Sequence, residues 1–275
     1  MVSIFIRTFE GDLDWLRYCL ASIHRNLAGW GEIVICIPEG QVDKLKGLIT
    51  NEIVVTCPAY SDDYIGQQIS KLQAYRHVKG EFVLYVASDV VFSPGANVSA
   101  YFQDGKPVIL KESYARLDSR HPHLDTRKWQ DVVNLIFGAK PSHEYMRRAP
   151  QIFRTETLAA LDRAFPQLED HALRQPNRRF SEFNVLGYFV ERYEPFNYII
   201  IDLEHEPLPP NPAMQYWSWG GVSPDIFAQL VELGVADPAC PPDCTHLPHR
   251  PRPPGLWKRF RYVIKGFFRG LKHTR

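Results

Sequence analysis

The chain has 275 residues, of which 45% are hydrophobic and 13% aromatic, and its formal net charge is +1. This length and composition predict one large globular domain, or one domain with an appendage, and exclude a mainly disordered chain. The charge is uneven, because residues 246–275 contain nine Lys or Arg and no acid, whereas the first 245 residues carry 23 basic and 31 acidic side chains. We therefore expect an acidic body and a basic tail with its own partner.

The cysteines are odd in number and do not resemble a disulfide framework. One lies in a strand-like apolar run and another in a helical pattern, which indicates reduced thiols in a cytosolic compartment. They are Cys19, Cys36, Cys57, Cys240 and Cys244. No signal peptide is expected, because Arg7 interrupts the first apolar run. No run approaches the ~18 apolar residues that span a bilayer, so we expect a soluble or peripheral protein.

Strand-like and helix-like segments alternate through the first half of the chain. Strands are predicted over 2–6, 32–38, 53–55 and 82–86, and helices over 15–27, 41–49 and 65–77. This alternation predicts right-handed βαβ units, and hence an α/β fold with a mostly parallel central sheet flanked by helices. In the less regular second half, strands are predicted over 107–111 and 197–203, and helices over 126–137 and 154–165. Proline-rich connectors occupy 206–212 and 238–254.

The strand predicted over 82–86 is apolar on both faces, as in the centre of a parallel sheet. Ser88 and Asp89 follow its carboxyl end, which is where open α/β sheets bind their ligands. A carboxylate at this point is well placed to hold a cation against a phosphate. Asp is also a common turn residue, so a turn-capping role for Asp89 explains the same position.

Four short motifs, in this order, resemble those of the glycosyltransferase A-fold enzymes. They are Tyr64-x-x-Gln67-Gln68-x-x-Lys71-Leu72, Ser88-Asp89-Val90-Val91-Phe92, Ser181-Glu182-Phe183-Asn184 and Gln215-x-Trp217-Ser218-Trp219-Gly220-Gly221. More narrowly, the chain is similar to a bacterial group of glycosyltransferases associated with surface-polysaccharide synthesis. The resemblance covers roughly residues 1–230 and depends on the order of the motifs more than on any one of them.

The resemblance implies a nucleotide-sugar donor and a divalent cation, Mn²⁺ or Mg²⁺, that bridges its diphosphate. The acid-any-acid motif of the family corresponds to Ala87-Ser88-Asp89, where only the last acid is present, and this departure weakens the case for a metal. His205 is the candidate second metal ligand, since such enzymes often use a late histidine. A surface-loop histidine is the alternative, and its acidic neighbours would favour the protonated ring, which opposes metal binding.

The resemblance also implies donor-binding roles for residues near the first and fourth predicted strands and on the helix between them. These residues are Arg7, Thr8, Asp12, Gln68, Lys71 and Ser88. Simpler explanations exist for three of them: a loop charge for Arg7, a helix cap for Asp12 and a solvated helix face for Lys71.

Glu182 is the candidate catalytic base, together with Asp89 as the second catalytic residue. The flanking Phe180 and Phe183 would partly desolvate its carboxylate, which favours proton abstraction near neutral pH. Glu182 can equally be an acid at a helix start that Ser181 caps.

An acceptor sugar is expected at Trp217, Trp219 and Gly220, because indole rings stack on sugars and glycine lets a ligand approach the backbone. Core packing of the two tryptophans is the alternative. Further along, Cys240, Cys244, His246 and His249 form either a structural Zn²⁺ site or a plain proline-rich linker.

Residues 256–272 have the pattern of an amphipathic helix with one aromatic and one wholly basic face. Such a helix lies on an anionic membrane surface. The alternatives are a helix docked on the body and a nucleic-acid arm. The absence of acids argues against the first, and the wide aromatic face against the second, so no nucleic-acid partner is expected.

Together these features predict a cytoplasmic glycosyltransferase, peripheral on the inner face of the plasma membrane, with a glycan or lipid-linked acceptor. The predicted parts are an A-type domain over 1–235, with a nucleotide-sugar half (1–110) and an acceptor half (111–235), a linker over 236–254 and a membrane helix over 255–275. A binding module that has kept the fold without the chemistry is the alternative. A nucleotidyltransferase is less favoured, since no glycine-rich phosphate loop follows the first strand.

Overall fold

The computed structural model describes residues 1–123, 125–175 and 178–239. Its helices are α1 (Leu13–Asn26), α2 (Asp63–Leu72), α3 (Tyr114–Arg120), α4 (Gln130–Phe137), α5 (Thr155–Ala164), α6 (Leu168–Leu173), α7 (Glu182–Tyr193) and α8 (Pro224–Glu232). Its longer strands are β1 (Val2–Arg7), β3 (Glu32–Pro38), β4 (Ile53–Cys57), β5 (Phe82–Ala87), β9 (Lys106–Ser113), β11 (Gln151–Arg154) and β12 (Ile199–Asp202). The short strands are β2 (Leu27–Ala28), β6 (Val90–Phe92), β7 (Ala96–Asn97), β8 (Phe102–Gln103), β10 (His143–Glu144) and β13 (Ala213–Gln215).

The central sheet has five strands in the order β11-β5-β1-β3-β4. β1 pairs in parallel with β3 and β5, and β3 pairs in parallel with β4. Only β11, from the predicted acceptor half, runs antiparallel, with Gln151 opposite Tyr85 of β5. The prediction of a mixed α/β fold with a mostly parallel central sheet is confirmed.

The strand order reverses its direction next to β1. From β1 the chain moves outward through β3 to β4, then returns to place β5 on the other side of β1. In open α/β sheets the ligand crevice lies beyond the carboxyl ends of the strands at such a reversal. This point lies beyond Arg7 and Ala87, the last residues of β1 and β5.

Helices cover both faces of the central sheet. Successive side chains of a strand point to opposite faces, so an apolar strand has side chains to bury on each face. Ile4 and Ile6 of β1 belong to an apolar cluster that includes Leu16 of α1. Phe5 belongs to a second cluster, on the other face, that includes residues of α2, α5 and α7. A smaller sheet, in the order β10-β9-β12, has β9 and β12 in parallel, with β8 also paired to β9. Two short pairs, β13–β6 and β2–β7, complete the pairing.

Three predicted helices are shorter than expected. The segment 41–49 contains only a 3-10 turn, Val42–Leu45, before Gly47 takes a left-handed conformation (φ 82°). The helix predicted over 65–77 ends at Leu72 and is followed by a 3-10 turn, Ala74–Arg76. The helix predicted over 126–137 begins at Gln130. The three cysteines in the described part, Cys19, Cys36 and Cys57, are free thiols.

Two predictions concern residues that lie outside the described ones: the zinc site at Cys240, Cys244, His246 and His249, and the basic helix over 255–275, together with nearly all of the linker over 236–254. Within the described residues, no helix has the length and apolar character needed to cross a membrane.

Candidate functional site at the end of the first and fifth strands

Hydroxyl groups from two neighbouring strands meet where the strand order reverses. The Thr8 N–H donates to the Cys36 carbonyl at 2.9 Å, which continues the β1–β3 pairing past the end of β1. The Ser88 hydroxyl, just after β5, donates to Thr8 Oγ1 at 3.0 Å, and both residues are buried. The structure therefore brings together two of the predicted donor-binding residues.

Arg7 links the end of β1 to the start of α2 through an ion pair. It is buried, its Nη1 donates to the Thr8 carbonyl at 2.5 Å, and its Nη2 forms an ion pair with Asp63. Arg7 is thus not an exposed loop charge. Asp63 was not among the predicted site residues, although an acid in the first turn of a helix is a recognised start signal.

Gln68, Lys71 and Glu182 meet where α2 packs against α7. The Lys71 ammonium lies 2.7 Å from Glu182 Oε1, and the exposed fractions of the two side chains are 13% and 4%. The Glu182 N–H donates to Gln68 Oε1 at 3.2 Å. Lys71 also lies 5.0 Å from the ring centroid of Phe183, so it is not on a solvated helix face.

Glu182 is both a buried acid and the first residue of α7. Ser181 is the N-cap, since its hydroxyl accepts the Asn184 N–H. The predicted helix start at this point and the predicted desolvation of the carboxylate are therefore both present. The partner ammonium of Lys71 was not predicted.

Asp89 anchors the segment over 215–218. Its Oδ2 accepts the Ser218 N–H at 2.8 Å, its Oδ1 accepts the Gln215 amide at 3.3 Å, and its carbonyl accepts the Tyr216 N–H at 2.9 Å. Burial raises the pKa of the Asp89 carboxyl, while the hydrogen bonds that its carboxylate oxygens accept from Ser218 and Gln215 and the charge of Lys71 act in the opposite direction. Lys71 therefore interacts electrostatically with both predicted catalytic acids.

The surroundings of Asp89 do not fit a divalent cation held by protein ligands alone. Both carboxylate oxygens already accept N–H groups, and the described residues contain no group of three or more His, Cys, Asp or Glu that could hold a metal. His205 is exposed in the turn after β12, in the other sheet, where its N–H donates to the Asp202 carbonyl. The Mn²⁺ or Mg²⁺ site at Asp89 and His205 stays a prediction.

Of the three predicted acceptor-binding residues, Trp217 lies within the segment that Asp89 anchors, and Trp219 and Gly220 follow that segment directly. Trp217 is 45% exposed and left-handed (φ 63°, ψ 86°), a strained conformation for a bulky residue. Core packing is therefore wrong for Trp217, whereas Trp219 is partly buried. Gly220 is exposed and would have nothing within 4 Å of an added Cβ. Asp12 precedes α1, but its side chain makes no capping hydrogen bond.

Fold and site together define an α/β protein whose polar side chains converge at the reversal of its strand order. Comparison with protein-family models gave no matching family, and comparison with curated proteins gave no match.

Proposed function

We propose that the protein is an A-fold glycosyltransferase that transfers a sugar from a nucleotide-sugar donor to a glycan or lipid-linked acceptor in bacterial surface-polysaccharide synthesis. One observation carries the proposal. Distant segments bring Thr8 to Ser88 beyond the ends of β1 and β5, and Lys71 to within 2.7 Å of the buried Glu182. Hydroxyls, an ammonium and a carboxylate at the sheet edge where open α/β proteins bind their ligands are groups that glycosyl transfer requires.

In the proposed reaction, an acceptor hydroxyl attacks the anomeric carbon of the donor. The new C–O bond forms as the bond to the diphosphate breaks, and the electron pair leaves with the nucleoside diphosphate. Glu182 accepts the hydroxyl proton. As that carboxylate is neutralised, the Lys71 ammonium is freed to stabilise the charge on the departing diphosphate. The Thr8 and Ser88 hydroxyls orient the donor, while Arg7 and Asp63 position the ends of β1 and α2.

A direct test starts from a thermal-shift screen of nucleotide-sugars, since a ligand that binds only the folded state raises Tm. Donors that bind are then assayed for hydrolysis and transfer. We expect Glu182→Gln to lower kcat by at least about 100-fold, the usual contribution of a positioned base. The matched control is Glu156→Gln, because Glu156 pairs with Arg163 on the exposed surface. Unchanged kcat in Glu182→Gln, or no nucleotide-sugar bound, contradicts the proposal.

Metal dependence needs a separate experiment. If a cation on Asp89 bridges the donor diphosphate, EDTA abolishes wild-type turnover, Mn²⁺ or Mg²⁺ restores it, and Asp89→Ala has little turnover in any arm. Turnover that is the same in every arm rules out this role for Asp89.

A catalytically inactive nucleotide-sugar-binding module is the second candidate, and one observation favours it. Ala87 replaces the first acid of the motif, and the oxygens of the remaining acid, Asp89, are engaged by Gln215 and Ser218. Calorimetry combined with the transfer assay separates the two functions, because a module binds the donor without turning it over.

A further inference from the structure

Two free thiols and a guanidinium are neighbours on one face of the central sheet. Arg7 of β1 lies directly opposite Cys36 of β3 in the parallel register. Cys57 of β4 is diagonal to Cys36, because Cys36 lies opposite Val55, two residues earlier in β4. Side chains alternate between the two faces along each strand, so Arg7, Cys36 and Cys57 point to the same face. Cys36 and Cys57 also belong to the same buried apolar cluster.

The thiols of Cys36 and Cys57 are hydrogen-bonded to each other. The pair can therefore lose one proton and keep the other, which the remaining thiol donates to the thiolate. The hydrogen bond from Cys36 lowers the pKa of Cys57, and Ser70 and the charge of Arg7 act in the same direction, whereas burial and the charge of Asp63 oppose them. Cys36 keeps its proton, because the hydrogen bond with Cys57 and burial raise its pKa.

Arg7 brings a positive charge and an unengaged donor to this pair of thiols. Its Nη1 donates to the Thr8 carbonyl and its Nη2 pairs with Asp63. Its Nε is buried and has no hydrogen-bond partner in the described part of the chain. A buried donor without an acceptor is costly, so a thiolate beside Arg7 would be stabilised by the charge and would offset that cost. Asp63 and Tyr60 also interact electrostatically with Cys57.

Cys19 has the opposite surroundings. It is fully buried on the other face of the sheet, where its Sγ donates to the Ala87 carbonyl at 3.6 Å. Burial and the charge of Asp89 raise its pKa. The thiolate and not the thiol is the nucleophile, so Cys19 should be inert. Cys57, by contrast, is 5% exposed and is the last residue of β4, the strand at the edge of the sheet.

We propose that Cys57 is a thiolate modification site that reacts with hydrogen peroxide, with Cys36 and Arg7 stabilising the thiolate. The sulfur attacks one peroxide oxygen, so that an S–O bond forms and the O–O bond breaks. The electron pair of the O–O bond leaves with the other oxygen as hydroxide, which takes a solvent proton to become water. Sulfur is oxidised by two electrons to the sulfenic acid, and the peroxide is reduced. The reaction does not depend on glycosyl transfer, since it is measured without turnover.

The test uses the full-length chain with Cys240→Ser and Cys244→Ser, so that only the three cysteines of the described part remain. The reduced protein is treated with hydrogen peroxide and then with dimedone, which labels sulfenic acids, and mass spectrometry locates the label. We expect at least about tenfold more label on Cys57 than on Cys19, because only Cys57 has thiolate character. Cys19 is the internal control, since unfolding would expose both thiols. A Cys36–Cys57 disulfide, formed from the sulfenic acid with loss of water, also counts as oxidation of Cys57.

A second measurement tests the part of Cys36. Alkylation of the reduced, folded protein by iodoacetamide is followed from pH 5 to pH 9. The rate at Cys57 should reach half its maximum below the ordinary thiol pKa of about 8.5. Cys36→Ala should raise this midpoint because it removes the donor, whereas Cys36→Ser keeps a donor and should raise it less. Should Cys36→Ala fail to fold, Ser70→Ala replaces it under the same criterion. Equal labelling of Cys57 and Cys19, or a midpoint that Cys36→Ala leaves unchanged, overturns the proposal.

Discussion

Asp89 joins two segments that are far apart in the sequence. Gln215, which donates to its carboxylate, is 126 residues away, and the Ser218 N–H donates to the same group. These contacts hold the segment in which Trp217 adopts its left-handed conformation. Asp89 is therefore a positioning residue in this structure, whatever further part it has in binding a donor.

The raised pKa of Asp89 has a consequence for stability. Below the ordinary pKa of 3.8, Asp89 is protonated in both the folded and the unfolded chain. As the pH rises, the unfolded chain loses this proton first, so the folded state loses stability until the pH passes the raised pKa. Asp89→Asn cannot titrate. We expect the wild type to lose stability relative to Asp89→Asn between these two pKa values.

Urea denaturation from pH 3 to pH 7 measures the difference in the free energy of unfolding between the wild type and Asp89→Asn. The contributions of titratable groups that both proteins share cancel in this difference. A difference that does not change with pH, or that changes in the wild type's favour as the pH rises, contradicts the raised pKa.

The sequence predicted that Asp89 follows a strand and that Glu182 can begin a helix, but it did not predict which residues they contact. Asp89 follows an apolar strand and Glu182 follows a capping serine, and both signals are short-range. Their partners are long-range: Lys71 is 111 residues from Glu182. Spacing within a segment cannot reveal which helices face each other. The Lys71–Glu182 ion pair and the contacts of Asp89 with residues 215–218 could therefore be identified only from the folded structure.

At the level of elements, α7 places Glu182 by packing closely against Tyr145. A Cβ added at Gly187 of α7 would lie 2.3 Å from Tyr145 Cγ and 2.4 Å from its Cβ. These atoms are near the backbone, and Tyr145 is buried with its hydroxyl on Glu191, so the ring has little freedom to move. Only glycine permits this approach.

We therefore expect Gly187→Ala to destabilise the protein by about 1–3 kcal/mol, the usual cost of overpacking a core. This is opposite in sign to the ~1 kcal/mol by which alanine is favoured in a helix interior. Urea denaturation measures the change. Gly220→Ala is the control for stability, because nothing lies within 4 Å of its added Cβ. If Gly187→Ala is as stable as the wild type, α7 does not pack against Tyr145 this closely.

The elements that were predicted correctly are those with an apolar pattern of their own. β1, β3 and β5 are buried almost throughout, and each corresponds to a continuous apolar run in the sequence. β6 and β11 have only three and four residues, and tertiary pairing decides whether such short runs become strands. Of α7 only the start was predicted, as an acid that Ser181 caps, and the rest of the helix to Tyr193 was not.

At the scale of the whole molecule, the net charge differs between the described body, which is acidic, and the segment over 256–272, which is basic. Its basic residues are Lys258, Arg259, Arg261, Lys265, Arg269 and Lys272. A lipid-linked acceptor, as proposed above, is presented at a membrane surface. A basic amphipathic segment in the same chain would hold the proposed site near that surface and raise the local concentration of acceptor.

The full-length protein should therefore co-sediment with vesicles that contain anionic lipid, and much less with purely zwitterionic ones. Each basic side chain near such a surface contributes about 1 kcal/mol, so changing Lys258, Arg261 and Lys265 to Gln should weaken binding roughly a hundredfold. Added salt should weaken it as well. The matched control changes three exposed arginines of the body, Arg17, Arg163 and Arg174, to Gln and should bind like the wild type. Equal binding to both kinds of vesicle, or equal loss in the two triple variants, would show that the tail does not direct the protein to anionic membranes.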